Sequence, residues 1–216
     1  MNIVVISQNQ REYIKPMLEA LKGHNVCYVL DRCTDGSEEE LTGFTHIVNE
    51  EGTGFLAGRM RDLGAWVHGY KGPILFLDGD KVPTGDLDVI PTLGFDCVLL
   101  GVANDRRGFA DGLIPWLVDG DLKNPHNGVY SCGIWLSQKA IDTAREMCAC
   151  RIFHRGFDGN WGEEDRYLGD VLGNAGLTIG FSSAVVLQGE LTPAEEATER
   201  IAKNFMVRLR LSGRIA

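Results

Sequence analysis

"GPILFLDGDKVP", residues 72–83, decides how the chain is read. Its apolar run Ile74-Leu75-Phe76-Leu77 reads as a fully buried strand at the centre of a sheet. The run delivers two aspartates, Asp78 and Asp80, with only Gly79 between them. Alternation along an extended strand would send both carboxylates to the same side. Asp-Gly is a common turn pair, so a structural turn is one reading. A cation site is the other, because open α/β sheets place their ligands at the carboxyl ends of their strands.

Working outward, residues 3–6 read as a first strand, and 11–22 as a helix with Ile14, Leu18 and Leu21 on one face. Residues 26–30 form a second buried strand, which ends in "DRCTDGSEEE", turn chemistry followed by acidic helix-start residues. A short strand follows at 45–48. From 54 to 70, Leu56, Met60, Leu63, Val67 and Tyr70 make one helical stripe. Strand–helix alternation with short connections predicts a mostly parallel central sheet flanked by helices.

After Asp80 the rhythm loosens. Residues 96–102 read as a strand, 104–128 as a loop rich in Gly, Asp, Asn and Pro, and 129–136 as a strand. Helices are expected over 138–150 and 163–174, and two strands across 177–187. Thr192-Pro193-Ala194-Glu195 matches a capping box with proline at the first helical position. It opens a C-terminal amphipathic helix carrying Ala197, Ile201, Phe205 and Leu209 on one face. The chain is expected to form a single domain over 1–216, with an α/β half at 1–103, a loop-rich second half at 104–190 and the terminal helix at 191–216.

At 216 residues, 44% hydrophobic and 24% charged, the chain has the length and composition of one globular domain. A net charge of −9 disfavours a broad nucleic-acid surface. No stretch reaches the roughly 18 apolar residues of a membrane span. "MNIVVIS" enters a strand pattern with no leader, so a cytoplasmic location is expected. Six cysteines (27, 33, 97, 132, 148 and 150) lack C-x-x-C spacing and read as reduced thiols.

Four stretches in order carry a resemblance: "VLDRCTDGS", "RMRDLGA", "LFLDGD" and "GFDGNWGEEDRYLGDVLGNAG". Together they resemble the family-2-type glycosyltransferases of the GT-A fold, the nucleotide-diphospho-sugar transferases, over about residues 1–188. Those proteins show an Asp-rich turn after the second strand, an Arg-Asn-x-Gly helix, a D-x-D motif and a late Glu-Asp helix. The resemblance implies a GT-A fold and a metal-dependent transfer of sugar from a nucleotide-diphosphate donor, UDP-linked, to a hydroxyl acceptor.

It also implies site residues. Asp80 would bind Mn or Mg and serve the metal, not the core, and Asp78 would contact the ribose or a metal-bound water. Asp31 or Asp35 would meet the uracil or ribose, with Ser7 and Gln8 lining the same pocket. As alternatives, Asp35 is a turn residue and Ser37 an N-cap. Arg61-Asp62-Leu63-Gly64 stands where the family has Arg-Asn-x-Gly, and the aspartate departs from that pattern. Arg61 and Arg59 would approach the diphosphate or base; both also read as solvated helix arginines.

Asp165 would be the general base of an inverting reaction, with Glu164 beside it near the acceptor. A first-turn position keeps such a carboxylate ionised through the helix dipole. Trp161 and Gly162 would form an acceptor platform, although an indole here also reads as core. Many relatives place a metal-binding histidine after the late strand; here "AVVLQG" offers Gln188, with Glu190 close by as a substitute. His126 and His154 read as surface residues. A glycan, a lipid-linked sugar, a protein or a modified nucleic-acid base all remain open as acceptor; Arg106-Arg107 and the basic run 151–155 would contact the last. Two other readings stand beside this one. A nucleotidylyltransferase would need a Gly-rich phosphate loop after the first strand, and "SQNQREYIKP" has no glycine. A non-catalytic nucleotide-sugar-binding module would leave Gln188 as the mark of a decayed metal site.

Overall fold

In the computed structural model of the chain, which describes residues 1–50, 57–102, 112–113, 132–148, 150–153 and 163–189, the apolar runs lie side by side in one sheet. The elements are β1 (Asn2–Ser7), α1 (Arg11–Ala20), β2 (Asn25–Asp31), α2 (Ser37–Glu40), β3 (His46–Asn49), α3 (Ala57–Val67) and β4 (Ile74–Asp78). There follow β5 (Val82–Thr84), a 3-10 turn (Leu87–Leu93), β6 (Cys97–Val102), β7 (Gly112–Leu113), β8 (Gly133–Leu136), α4 (Gln138–Met147), α5 (Glu163–Asn174) and β9 (Ile179–Gln188). The strand order is β3-β2-β1-β4-β8-β6-β9-β5, with β7 also on β9.

β3, β2, β1 and β4 are mutually parallel. β8 pairs antiparallel with both β4 and β6, and β6 is parallel to β9. Six strands therefore share one direction, while β5, β7 and β8 oppose it. The expected parallel sheet is the β3–β4 half, and beyond it the sheet is mixed. The consequence for function is simple. Ser7, Asp31, Asn49, Asp78 and Gln188 all end strands of the common direction and share the carboxyl edge.

The two strands expected across 177–187 are one, β9. Its register against β6 jumps from Leu100↔Ser182 to Gly101↔Val186, and this bulge is what reads in the sequence as a break. β5 and the 3-10 turn were not anticipated, and β7 falls within the expected loop at 104–128. The rest of that loop lies outside the described residues, as does the terminal helix expected at 191–216.

The sheet is covered on both faces. Val4, Ile6, Ile74 and Phe76 face α3, α4 and α5, while Ile3, Val5, Leu75 and Leu77 face α1 and the 3-10 turn. Double burial is why β1 and β4 read as unbroken apolar runs instead of alternating. All six cysteines are free. No described helix is long and apolar enough to cross a membrane.

Helix α3 departs from its expected stripe. Met60 is buried, but Val67 is 37% exposed, and Leu63 and Tyr70 are only partly covered. The face against the sheet is instead Ala57, Arg61, Gly64, Ala65 and then His68 just beyond the helix. Small residues bring the helix close to β1, and the two polar ones have partners on the sheet, Arg61 at the end of β4 and His68 on β1 and β2. His68 Nε2 lies 3.1 Å from the Ile3 carbonyl, and Nδ1 lies 3.3 Å from the Asn25 amide nitrogen. A neutral ring with Nε2–H donating and Nδ1 accepting satisfies both.

Burial lowers the His68 pKa below its ordinary 6.5, against a smaller opposing effect of the Ile3 hydrogen bond. On acidification the unfolded chain therefore binds this proton first. The stabilising contribution is complete above about pH 6.5 and is lost as pH falls through the depressed folded value. Urea midpoints should decline from pH 7.5 to 5.5, and His68→Gln should flatten that decline. An unchanged pH slope in the variant would assign the loss to other groups.

Candidate functional site

β4 stops at Asp78, and the Lys81 amide donates to the Asp78 carbonyl at 3.0 Å. Residues 78–81 are thus a tight turn, and it is this turn, not strand alternation, that presents the two aspartates. The turn and the ligand edge coincide. Gly79 donates to the Ile6 carbonyl at 2.8 Å, and a Cβ there would lie 2.8 Å from Ser7 Cβ and 2.6 Å from Gln10 Oε1. Only glycine lets the loop after β1 approach so closely. Buried Ser7 uses its hydroxyl within that loop, donating to Gln10 Oε1 at 3.0 Å.

Asp78 is fixed from α3. Arg61 Nη2 donates to Asp78 Oδ1 at 3.0 Å, with the arginine side chain only 4% exposed. Its guanidinium lies 5.7 Å over the Phe153 ring, which meets Phe76 edge-on at 5.3 Å. Arg61 is therefore no solvated helix arginine. Arg59 is half-buried.

The departure at Asp62 has a structural explanation. Asp62 is buried and accepts from the Ile152 amide at 3.0 Å, holding the segment that carries Phe153 against α3. Burial raises its pKa, although that amide and the charges of Arg151 and Arg145 partly oppose the rise.

Asp80 has a partner that sequence reasoning passed over. Lys81 is fully buried, and its ammonium is paired with Asp80 Oδ2. The expectation that Asp80 has no part in the core is therefore corrected: it neutralises a buried lysine. Gln188 stands nearby, since β5 and β9 pair Val82 with Gln188, and its side chain is exposed. The following Gly189 lies so close that a Cβ would meet the Asp80 carbonyl at 2.5 Å and Lys81 Cδ at 2.8 Å.

Asp31 ends β2 almost wholly buried, at 1% exposure. Its Oδ1 accepts from Asn49 Nδ2 at 2.7 Å and Arg32 Nε at 3.1 Å. Its Oδ2 accepts from Arg32 Nη2 at 2.6 Å and from Gln8 Nε2 at 3.3 Å. Asn49 and Arg32 were not anticipated; Asn49 gains its place only because β3 pairs beside β2.

Asp35 has a local role. It accepts from the Arg11 amide at 2.9 Å, from the Ser37 amide at 3.1 Å and from the Ser37 hydroxyl at 2.6 Å. Burial alone would raise its pKa, but these hydrogen bonds outweigh it and leave the carboxyl below its ordinary value. Ser37 is correspondingly not an N-cap: Gly36 holds that position. Thr34 donates its amide to Asn9 Oδ1 at 2.8 Å, so the loops after β1 and β2 are stitched together. Asn9 and Arg32, with φ of 52° and 48°, sit in the left-handed region that favours glycine. Such strain persists where the surroundings over-determine it.

Glu164 and Asp165 fall in the first turn of α5, and Leu168 and Leu172 on that helix are buried as expected. The side chains of Glu164 and Asp165 lie outside the described residues, as do Trp161, Gly162, Glu190, Trp116, Arg106, Arg107, His126 and His154.

Asp78, Asp80 and the Gln188 amide would offer a cation oxygen donors only, a chemistry that suits Mg or Mn. Among the described residues, no three His, Cys, Asp or Glu side chains gather to hold an ion. The set fits a cation held by one or two carboxylates together with a ligand's phosphate oxygens, not a cage built by protein alone.

This architecture is the GT-A fold. No family model and no curated protein matches the chain. Among solved structures it is similar to S. aureus TarS residues 1–349 in complex with UDP, with a TM-score of 0.57 and 14% identity over 93% of this chain and 63% of that one. It is similar, also at a TM-score of 0.57, to the mannosyltransferase PcManGT of Pyrobaculum calidifontis in complex with GDP-Man and Mn2+. There the identity is 13% over 89% of this chain and 57% of the other. Glucosyl-3-phosphoglycerate synthase of Mycobacterium tuberculosis, in complex with Mn2+, UDP-glucose and phosphoglyceric acid, gives a TM-score of 0.57 and 17% identity. The match covers 92% of this chain and 75% of that one. The chain thus spans about three-fifths of the length of the first two.

The Asp62 contact is testable on its own. Asp62→Ala should cost about 1–3 kcal/mol, because it leaves the buried Ile152 amide unsatisfied. Asp62→Asn, which keeps an acceptor and relieves the buried charge, should stay within about 1 kcal/mol of the parent. Equal stability of all three in urea melts would show that the contact contributes nothing.

Proposed function

We propose that this chain transfers a glycosyl group from a nucleoside-diphosphate sugar, UDP-linked, to a hydroxyl acceptor. One observation carries the reading: the ends of four adjacent parallel strands place Ser7, Asp31, Asn49 and Asp78 on one edge, with Asp78 anchored by a buried arginine. The UDP, GDP-Man and UDP-glucose held by the similar structures support it.

In this reading the nucleoside binds the half at 1–103. Asp31 meets the base or ribose by exchanging its longest hydrogen bond, that from Gln8, for one to the ligand. Asp35 acts indirectly, by holding the two loops in place. Arg61 orients Asp78 toward the ribose and adds positive charge near the diphosphate. A divalent Mn or Mg, held by Asp80 with Asp78 and Gln188 beside it, would act as a Lewis acid toward the diphosphate leaving group.

The acceptor meets the half at 104–190, where Trp161 and Gly162 would form its platform. Asp165 takes the proton of the acceptor hydroxyl as that oxygen attacks the anomeric carbon. The bond to the diphosphate breaks on the opposite face, and the configuration inverts. Glu164 lies near the acceptor without taking the proton. A glycan, a lipid-linked sugar, a protein or a modified nucleic-acid base would each supply a suitable hydroxyl.

UDP with Mn should raise the melting temperature, since a ligand that binds only the folded state stabilises it, and EDTA should remove most of the shift. No shift with any nucleotide sugar would overturn the donor assignment. Asp165→Asn should leave donor affinity nearly unchanged while turnover falls about 10²–10⁴-fold. Glu163→Gln should lose little. Full activity in Asp165→Asn, or product that keeps the donor's anomeric configuration by NMR, would remove Asp165 as base.

A further inference from the structure

We propose that Lys81 competes with a divalent cation for Asp80, so that the ion binds this chain only together with a nucleoside diphosphate. The proposal rests on the donor reading above and adds a role for a residue outside the D-G-D motif. Lys81 is fully buried, its ammonium is paired with Asp80 Oδ2, and its amide is tied to the Asp78 carbonyl. Gly189, just after β9, packs against the lysine stem: a Cβ there would lie 2.8 Å from Lys81 Cδ.

Charge balance follows from these contacts. Asp78 is matched by Arg61, and Asp80 by Lys81. The turn is close to neutral and offers a free dication little net attraction. Among the described residues no third carboxylate, histidine or cysteine joins the two aspartates to change that balance.

A diphosphate does change it. Its oxygens give the Lys81 ammonium a further anion to share and bring negative charge that a dication can offset. Asp80 is then released, wholly or through Oδ1, to the ion. Such coupling is reciprocal: nucleotide must tighten ion binding by the same factor by which ion tightens nucleotide.

The probe is Mn2+, followed by the loss of its free-ion EPR signal, with and without UDP. Binding that survives Asp80→Asn is assigned to the acidic surface and subtracted. The parent should bind Mn2+ weakly alone and at least about tenfold more tightly with UDP. Lys81→Met, which keeps the buried stem and removes the charge, should bind Mn2+ alone at least about tenfold more tightly than the parent, with the UDP effect reduced. Lys81→Arg should restore the parent pattern. Equal Mn2+ affinity with and without UDP in the parent would overturn the proposal, and so would a folded Lys81→Met with no gain. If Lys81→Met fails to fold by circular dichroism, the parent's coupling factor decides. If UDP does not bind at all, the donor reading fails, while Mn2+ alone still compares Lys81→Met with the parent.

Discussion

A guanidinium held out of water and 3.0 Å from a carboxylate at the end of a central strand is the contact on which this site depends. Taking such charges from water is costly unless partners and packing compensate. Here Arg61 has both: the Asp78 carboxylate and the Phe153 ring. The pair joins the buried face of α3 to the carboxyl end of β4. Asp62, next along the helix, clamps the segment at 151–153 that supplies the ring. One turn of α3 thus ties the carboxyl end of β4 to the chain leading into α5.

Much of this was legible in the sequence, and the reason is double burial. A strand covered on both faces shows itself as an unbroken apolar run, and β1, β2 and β4 do so. Their acidic or polar ends then had to fall on the ligand edge once the strands were parallel. What could not be read depends on pairing between distant segments. Asn49 matters because β3 lies beside β2. The buried face of α3 was misplaced because glycine, alanine, arginine and histidine form it, and hydrophobic periodicity registers none of the polar ones. Lys81 was missed for a related reason: a lysine directly after two aspartates reads as surface until burial is seen.

A chain with a net charge of −9 has buried two of its cations, one behind each aspartate of the D-G-D turn. The two aspartates of the turn are thereby balanced by two buried cations. The loops after β1 and β2 add rigidity at the other end of the edge, through the Asn9–Thr34 and Arg11–Asp35 contacts and the left-handed backbone at Asn9 and Arg32. Preorganised polar groups of this kind lose little on binding a ligand.

The central claim is that a nucleoside diphosphate occupies the carboxyl edge of β1, β2 and β4. Hydrogen–deuterium exchange with and without UDP and Mn2+ tests it most directly. The expected result is slowed exchange in residues 7–11, 31–37 and 78–82, with α4 and the amino-terminal ends of the strands unaffected. Protection confined to other segments, or no change under saturating ligand, would contradict it.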